Sequence, residues 1–339
     1  MNTNEPRLIT TIAEIGQAHN GSLEKLYEYI DAVSKIGVDA IKFQTHIAAA
    51  ESSVHEPFRI KFSDQDATRF DYWKRMEFTQ QEWIDIGRKC KALGLIFMSS
   101  PFSNAAVDLL EEAGVEQYKI GSGEVSNFLL LKKVIDTGKP IIISSGMSSF
   151  QELDATVRFL NDHKADFSIL QCTTSYPTSP EDYGLNVIQE LKNRYGVTVG
   201  FSDHSASTAT GIAAATLGAE ILEFHVVISR DEFGPDVTSS LTMEEAKQLV
   251  QGVQQIATAL KQPIDKSDNS KFTELKNIFE KSLAVNKDLS KGHVLTFQDL
   301  EAKKPKGYGM DATTYKTIVG KALTKDVKQW DFLTEDTIQ

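Results

Sequence analysis

Short apolar runs rich in β-branched residues alternate along the chain with longer segments whose apolar positions recur at helical spacing. The runs are LITTIAEIG (8–16), VDAIKFQTH (38–46), LIFMSSPF (95–102), EQYKIGSGE (116–124), PIIISSGM (140–147), FSILQCTTSY (167–176), VTVGFSDHS (197–205) and AEILEFHVV (219–227). Each has the length and composition of a buried strand. The segment SLEKLYEYIDAVSKIG, between the first two runs, opens on Ser22, a good helix cap, and stops at Gly37. NAAVDLLEEAG, SFQELDATVRFLNDH and ATGIAAATLG repeat the pattern further on. Strands alternating with helices predict a parallel sheet. Eight such units over about 260 residues match the size of a (β/α)8 TIM barrel, an α/β fold. A doubly wound open sheet is the alternative, but no Gly-x-Gly-x-x-Gly turn follows the first run.

Two stretches break the rhythm. Residues 47 to 80 separate the second strand from its helix and contain EPFRIKFSDQDATRFDYWKRMEF, aromatic and mixed in charge. An insertion of that size is expected to be a functional loop over the barrel mouth, or else a structural flap. After about residue 260 the barrel pattern ends at the polar stretch KQPIDKSDNSKF. The expected organisation is a catalytic barrel over 1–265, a linker over 266–279 and a small β-rich domain over 280–339.

Composition narrows the function classes. With 41% hydrophobic and 24% charged residues among 339, the chain can bury a large core. No apolar run reaches the roughly 20 residues of a membrane helix, and the N-terminus lacks a secretory pattern. Two cysteines, Cys90 and Cys172, fit a reducing cytoplasm better than a disulfide framework. A formal charge of −11 argues against nonspecific binding to nucleic acid or an anionic membrane. It leaves room for a small anion, because a few local cations can dominate one pocket.

In a barrel, active-site groups stand at the C-terminal ends of strands. All eight predicted strands end in polar or glycine-rich sequence: Glu14; Lys42 and Gln44; Ser99 and Ser100; Lys119 with Ser122 and Glu124; Ser144 and Ser145; Thr173 to Tyr176; Ser202 to His204; and His225. Core packing alone does not put polar residues at the same end of every strand. His204 and His225, on neighbouring strands, suit a divalent transition metal such as Mn2+; two hydrogen-bonded core histidines are the bland alternative. Lys42 and Lys119 would attract an anion carrying phosphate and carboxylate, with Ser122, Ser144 and Ser202 as neutral donors. Structural ion pairs with Glu14 and Glu124 are a second reading of these lysines, and a Schiff-base lysine a third. Asp236, on the Gly-Pro turn of FGPDVTSS (233–240), could accept sugar hydroxyls or simply stabilise the turn.

AEIGQAHNGS, IKFQTH, SSPFS, YKIGSGE, SSGM, CTTSYPT, GFSDHS and GPD, in this order, closely resemble the sialic acid synthase family, which makes nonulosonic acids. SLAVNKDLSKGHVLTFQDLEAKKP resembles the antifreeze-like SAF domain that completes its members. The resemblance implies condensation of phosphoenolpyruvate with the open-chain aldehyde of an N-acyl hexosamine of the mannosamine type, with release of phosphate. It implies a Mn2+ or Mg2+ ion on His204 and His225. It maps phosphoenolpyruvate binding onto Lys42, Lys119, Ser122, Ser144 and Ser202. Sugar-contacting or catalytic positions map onto Glu14, Gln44, Ser100, Glu124, Tyr176 and Asp236, with Glu124 the favoured proton carrier beside Lys119. It further implies a domain-swapped homodimer.

The sequence departs from the family pattern at three places. Ala18 and Thr174 replace asparagines, and KKPKGYG stands where an arginine-containing RPG is usual, so either Lys304 or Lys306 substitutes for the arginine that reaches the acyl group or that contact is absent. A lysine lacks the planar fork of arginine, which bears on the choice of sugar more than on the reaction. A Schiff-base aldolase or lyase, an octulosonate-phosphate-type condensing enzyme and a non-catalytic sugar-binding protein are the competing expectations.

Overall fold

The computed structural model describes residues 9–58 and 65–339. It divides into two compact units, one ending at Gln262 and the other covering Pro263–Gln339. The break falls close to the end expected for the barrel.

In the first unit the strands are β1 (Thr10–Glu14), β2 (Ala40–Thr45), β3 (Ile96–Pro101), β4 (Gln117–Ile120), β5 (Ile141–Ser144), β6 (Phe167–Cys172), β7 (Val199–Asp203) and β8 (Ile221–Val227). Each pairs in parallel with the next. β1 also pairs with β8, from Thr10 opposite Ile221 to Glu14 opposite His225, and so closes the cylinder. This is the (β/α)8 barrel expected from the sequence. The open sheet is excluded, because an open sheet has two unpaired edges. A two-residue β9 (Leu241–Thr242) adds to the end of β8.

The helices form because caps and apolar stripes agree. Ser22 accepts a hydrogen bond from the Lys25 amide and starts the helix Leu23–Val33, which buries Leu26, Tyr29, Ile30 and Val33. Reciprocal capping boxes start the helices Gln80–Ala92, Phe150–Asp162 and Met243–Lys261. Their buried faces and the outward residues of the strands make one continuous core.

Inside the cylinder a second, smaller cluster contains Ile12, Ala40, Met98, Ile142, Leu170 and Ile221. It is a plug of apolar side chains one layer below the mouth. Side chains two apart on a strand share a face, so the next inward layer consists of Glu14, Lys42, Ser100, Ser144, Cys172 and Glu223. The chain switches from apolar to polar within a single step of two residues on six strands.

The insertion after β2 is partly regular. It carries the short helix Ala48–Glu51 and the helix Arg69–Met76; residues 59–64 of the expected loop lie outside the described residues. No helix among the described residues is long and apolar enough to cross a membrane.

The second unit opens with the helix Thr273–Phe279, at the end of the stretch expected to be a linker. β10 (Ser282–Val285) and β11 (Leu300–Lys303) then pair antiparallel. Isolated bridges, such as Ala284 with Phe332 and Leu289 with Val327, tie later segments to this hairpin. A separate core of Leu283, Val285, Leu289, Leu295, Ile318, Leu323, Val327, Leu333 and Ile338 holds the unit together.

Candidate active site

The C-terminal ends of the strands surround a cleft of about 460 Å3. Glu14, Lys42, Gln44, Ser100, Lys119, Ser122, Glu124, Ser144, Tyr176, Ser202, His204, His225 and Asp236 line it; Lys304 belongs to the second unit, where its ammonium lies 4.8 Å from the Phe279 ring centre. Lys306, also in that unit, pairs with Glu280 at 2.5 Å and Asp311 at 3.1 Å. The insertion after β2 contributes Glu51, Glu56, Phe58, Arg69, Tyr72 and Trp73 to the wall.

At the floor lies a buried ionic cluster. Lys42 Nζ is 2.6 Å from Glu14 Oε2 and 3.7 Å from Glu223 Oε1. Lys119 Nζ donates to both oxygens of Glu223, at 2.7 and 2.9 Å. Ser202 Oγ donates to the same carboxylate at 3.2 Å. The ion-pair reading of the sequence therefore holds for Lys42 and Glu14 but needs correcting for Lys119: its partner is Glu223, not Glu124. Glu124 sits higher, in the turn Ser122–Glu124, and accepts from Asn127 Nδ2 at 2.7 Å.

Burial disfavours the charged forms of Lys42 and Glu223, and their partners outweigh it. Burial pulls the Lys42 ammonium down, but Glu14 and Glu223 raise it above the ordinary lysine range. Burial favours neutral Glu223, but Lys119 and Lys42 hold the carboxyl well below its ordinary range. Such a cluster costs several kcal/mol of desolvation per ion, and apolar side chains would often be at least as stable. Its presence at the mouth of a cleft therefore marks a site rather than a stability device.

The two histidines come together as expected. Their ring centres are 5.2 Å apart, and Tyr176 stacks on His204 at 4.1 Å. His204 Nδ1 lies 2.9 Å from the Thr173 carbonyl, so Nδ1 carries a proton and Nε2 is the nitrogen left for a ligand; burial opposes a charge on this ring, but Cys172, Thr173 and Glu223 outweigh it and raise its pKa. Burial drives the His225 pKa down to about 3, against the pull of Asp236, so the ring keeps its lone pair near neutral pH. Gly16, at φ +54°, makes room for this pair: a Cβ there would lie 3.3 Å from Asp236 Oδ2 and 3.4 Å from His225 Cε1. Gly146 does the same on the opposite wall, where a Cβ would lie 2.5 Å from Thr174 Oγ1 and 2.7 Å from Ser122 Oγ.

A third group was not read from the sequence. Gln44 Nε2 donates to Glu14 Oε1 at 2.8 Å, and Gln17 Nε2 donates to Gln44 Oε1 at 2.9 Å. Gln17 Nε2 also lies 2.8 Å from His46 Nε2, and His46 Nδ1 lies 2.6 Å from Glu51 Oε1. The His46 ring is sandwiched between Trp73 and Phe102, at 4.0 and 4.6 Å. Glu223, Gln17 and His46 were all missed. Glu223 had a signal: it stands two residues before His225, on the same face of a strand that is otherwise apolar.

The profile of the NeuB family matches residues 29–265 of this chain. The chain is 32% identical to the N,N'-diacetyllegionaminic acid synthase of Campylobacter jejuni, over 96% of this chain and 98% of that protein. It is 32% identical to the pseudaminic acid synthase of Helicobacter pylori, over 97% of each. The crystal structure of an N-acetylneuraminic acid synthetase from Leptospira borgpetersenii in complex with citrate superposes with a TM-score of 0.69 at 29% identity, covering 80% of this chain and 91% of that one.

Proposed function

The chain belongs to the NeuB family, and from that premise we propose that it is a nonulosonic acid synthase. It condenses phosphoenolpyruvate with the open-chain aldehyde of an N-acyl hexosamine of the mannosamine type and releases phosphate. One observation carries this reading: Lys42 and Lys119 share a single barrel mouth with His204 and His225. Two ammonium groups beside two imidazoles suit an anionic donor on one side and a polarised carbonyl on the other.

Phosphoenolpyruvate binds over Lys42 and Lys119, whose carboxylate partners fix them in place while other N–H bonds face the anion. Ser122, Ser144 and Ser202 add neutral donors. The sugar lies towards Gln44, Ser100, Tyr176 and Asp236. Among the described residues no cluster of three or more His, Cys, Asp or Glu side chains is ready to hold a metal. The two imidazoles nevertheless fit a divalent ion, Mn2+ or Mg2+: burial holds His225 neutral, the Thr173 carbonyl occupies His204 Nδ1 and leaves Nε2 to bind a metal in exchange for its proton, and two protein ligands leave positions open. Such an ion, when bound, polarises the aldehyde oxygen.

C3 of phosphoenolpyruvate attacks the aldehyde carbon, water adds at C2, and the adduct expels phosphate with cleavage of the C–O bond. Glu14 is committed to Lys42 and Gln44. Glu124, at the edge of the cleft, is the better carrier for the proton that moves. The walls hold both substrates in register, which supplies much of the rate.

The remaining features follow the same reading. The second unit is an SAF domain, Lys304 replaces its usual arginine, and two chains exchange these domains in a homodimer. The enzyme works in the cytoplasm and feeds cell-surface carbohydrate synthesis. Lys42 argues against the Schiff-base alternative, since a nucleophilic amine must lose its proton and Glu14 and Glu223 hold this one charged.

The test is phosphate release from phosphoenolpyruvate and Mn2+ against a panel of N-acyl hexosamines, with His204→Ala as control. Turnover should fall at least ~100-fold in the variant. Phosphoenolpyruvate labelled with 18O at the bridging position should send its label into phosphate. Label kept in the keto acid sinks the proposed bond cleavage, and borohydride trapping of pyruvate on a lysine would install the lyase in its place.

A further inference from the structure

Gln17 is 5% exposed and lines the cleft, yet its Oε1 has no hydrogen-bond partner among the described residues. An unpaired buried amide oxygen is costly, so its orientation needs a cause. The neighbours supply one. Glu14 is ion-paired with Lys42, and its carboxylate only accepts. It therefore takes the NH2 of Gln44, which turns Gln44 Oε1 towards Gln17. Gln17 must answer with its own NH2. The same nitrogen faces His46 Nε2, so that ring nitrogen presents its lone pair and the proton sits on Nδ1, against Glu51. The Glu51 carboxylate also accepts from the Ile47 amide. Carboxylates at the two ends thus set every donor and acceptor between them. Flipping the Gln17 amide would place oxygen against oxygen at Gln44 and oxygen against a lone pair at His46. Of the two amide oxygens in this chain of contacts, Gln17 Oε1 is the one left over among the described residues.

We infer that Gln17 is a specificity-determining residue for the acceptor: its Oε1 accepts a hydrogen bond from a neutral donor on the bound sugar, either a hydroxyl or the acylamino N–H. This rests on the synthase reading. The position is on the β1–β2 side of the mouth, beside Gln44 and the Trp73–His46–Phe102 stack and away from Ser122 and Ser144. The stack fixes the imidazole plane and, through Nε2, the amide. The donor is neutral because the oxygen is a single uncharged acceptor in a wall that already holds its carboxylates in other bonds.

The experiment compares wild type with Gln17→Met, which keeps the length of the side chain and removes the amide. Steady-state kinetics use the N-acyl hexosamine that wild type turns over, its deoxy analogues and its N-methylated acyl analogue. Acceptor KM should rise about tenfold in the variant, with KM for phosphoenolpyruvate unchanged. One analogue should lose about the same factor with wild type and nothing further with the variant. A deoxy analogue behaving so identifies a hydroxyl, and the N-methyl analogue identifies the acylamino group. Gln17→Leu, which also removes the amide, carries the test if Gln17→Met does not fold. Equal losses for every analogue in both enzymes, or an unchanged acceptor KM, overturn the inference while leaving the synthase reading intact. A wild-type enzyme that releases no phosphate with any of the sugars overturns the synthase reading, and this inference with it.

Discussion

Two layers of the same barrel, two residues apart on each strand, have opposite chemistry. The lower holds Ile12, Ala40, Met98, Ile142, Leu170 and Ile221. The upper holds Glu14, Lys42, Ser100, Ser144, Cys172 and Glu223, nearly as buried as the lower. The lower layer does what cores do, removing apolar surface from water at roughly 25 cal/mol per Å2. The upper layer gives up that gain and takes on the desolvation of three charges, with Lys119 paired to Glu223 as a fourth. Stability and chemistry are thus stacked along one axis. The lower layer is the floor on which the upper is assembled, and the upper is tolerated because its charges are mutually paired.

The sharpest way to break this comparison is to empty one charge from the upper layer. Glu223→Leu leaves Lys119 buried without its carboxylate, and it should cost about 3–5 kcal/mol in urea denaturation. The double variant Lys119→Met with Glu223→Leu removes both charges and should recover most of that stability. Both variants should lose at least ~100-fold in phosphate release. A double variant that is stable and active would mean the upper layer is packing after all. The converse change is in the lower layer, where Leu170→Ala should cost about 3 kcal/mol through the cavity it leaves. Its turnover, measured well below its melting temperature, should stay within about threefold of wild type. Activity lost without stability lost would show that the plug reaches the chemistry.

The barrel was legible because its signal is repeated: eight apolar runs, each ending polar at the same end. Closure followed from the count, and the residues at strand ends were found because the fold concentrates chemistry there. Glu223 is not visible from the ends of the runs, because it stands inside AEILEFHVV. Counting by twos back from His225 finds it, and counting forward from Ile12 finds Glu14. Gln17 and His46 were beyond reach for a different reason. Their importance lies in which partner each nitrogen and oxygen meets, across separations of 27 and 29 residues. No local pattern encodes that a carboxylate on one strand and another on an insertion will fix the direction of an amide between them. The Lys119 partner was misassigned for the same reason: Glu124 is near in sequence, while Glu223 is 104 residues away and directly across the barrel.

The polar end of the barrel should also differ from the plug in its response to acid, through His19 in the turn that follows β1. This ring is buried, accepts the Gly21 amide at Nδ1 and packs against Phe78. Burial first, then His46 and Arg75, push its pKa from 6.5 down to about 3. Between those values the unfolded chain binds a proton that the folded chain refuses, so stability falls as pH falls through the window. At pH 5 the loss from this group is about 2 kcal/mol, and it is absent above about pH 7. His19→Gln can still accept from Gly21 but does not titrate. The stability difference between wild type and this variant should therefore shift by about 2 kcal/mol between pH 7 and pH 5, in favour of the variant. Leu170→Ala, from the apolar layer, should track wild type at a constant offset over the same range. Parallel profiles for His19→Gln and wild type would show that His19 accepts its proton without opening the fold, and the polar end of the barrel would then be no more acid-sensitive than the plug beneath it.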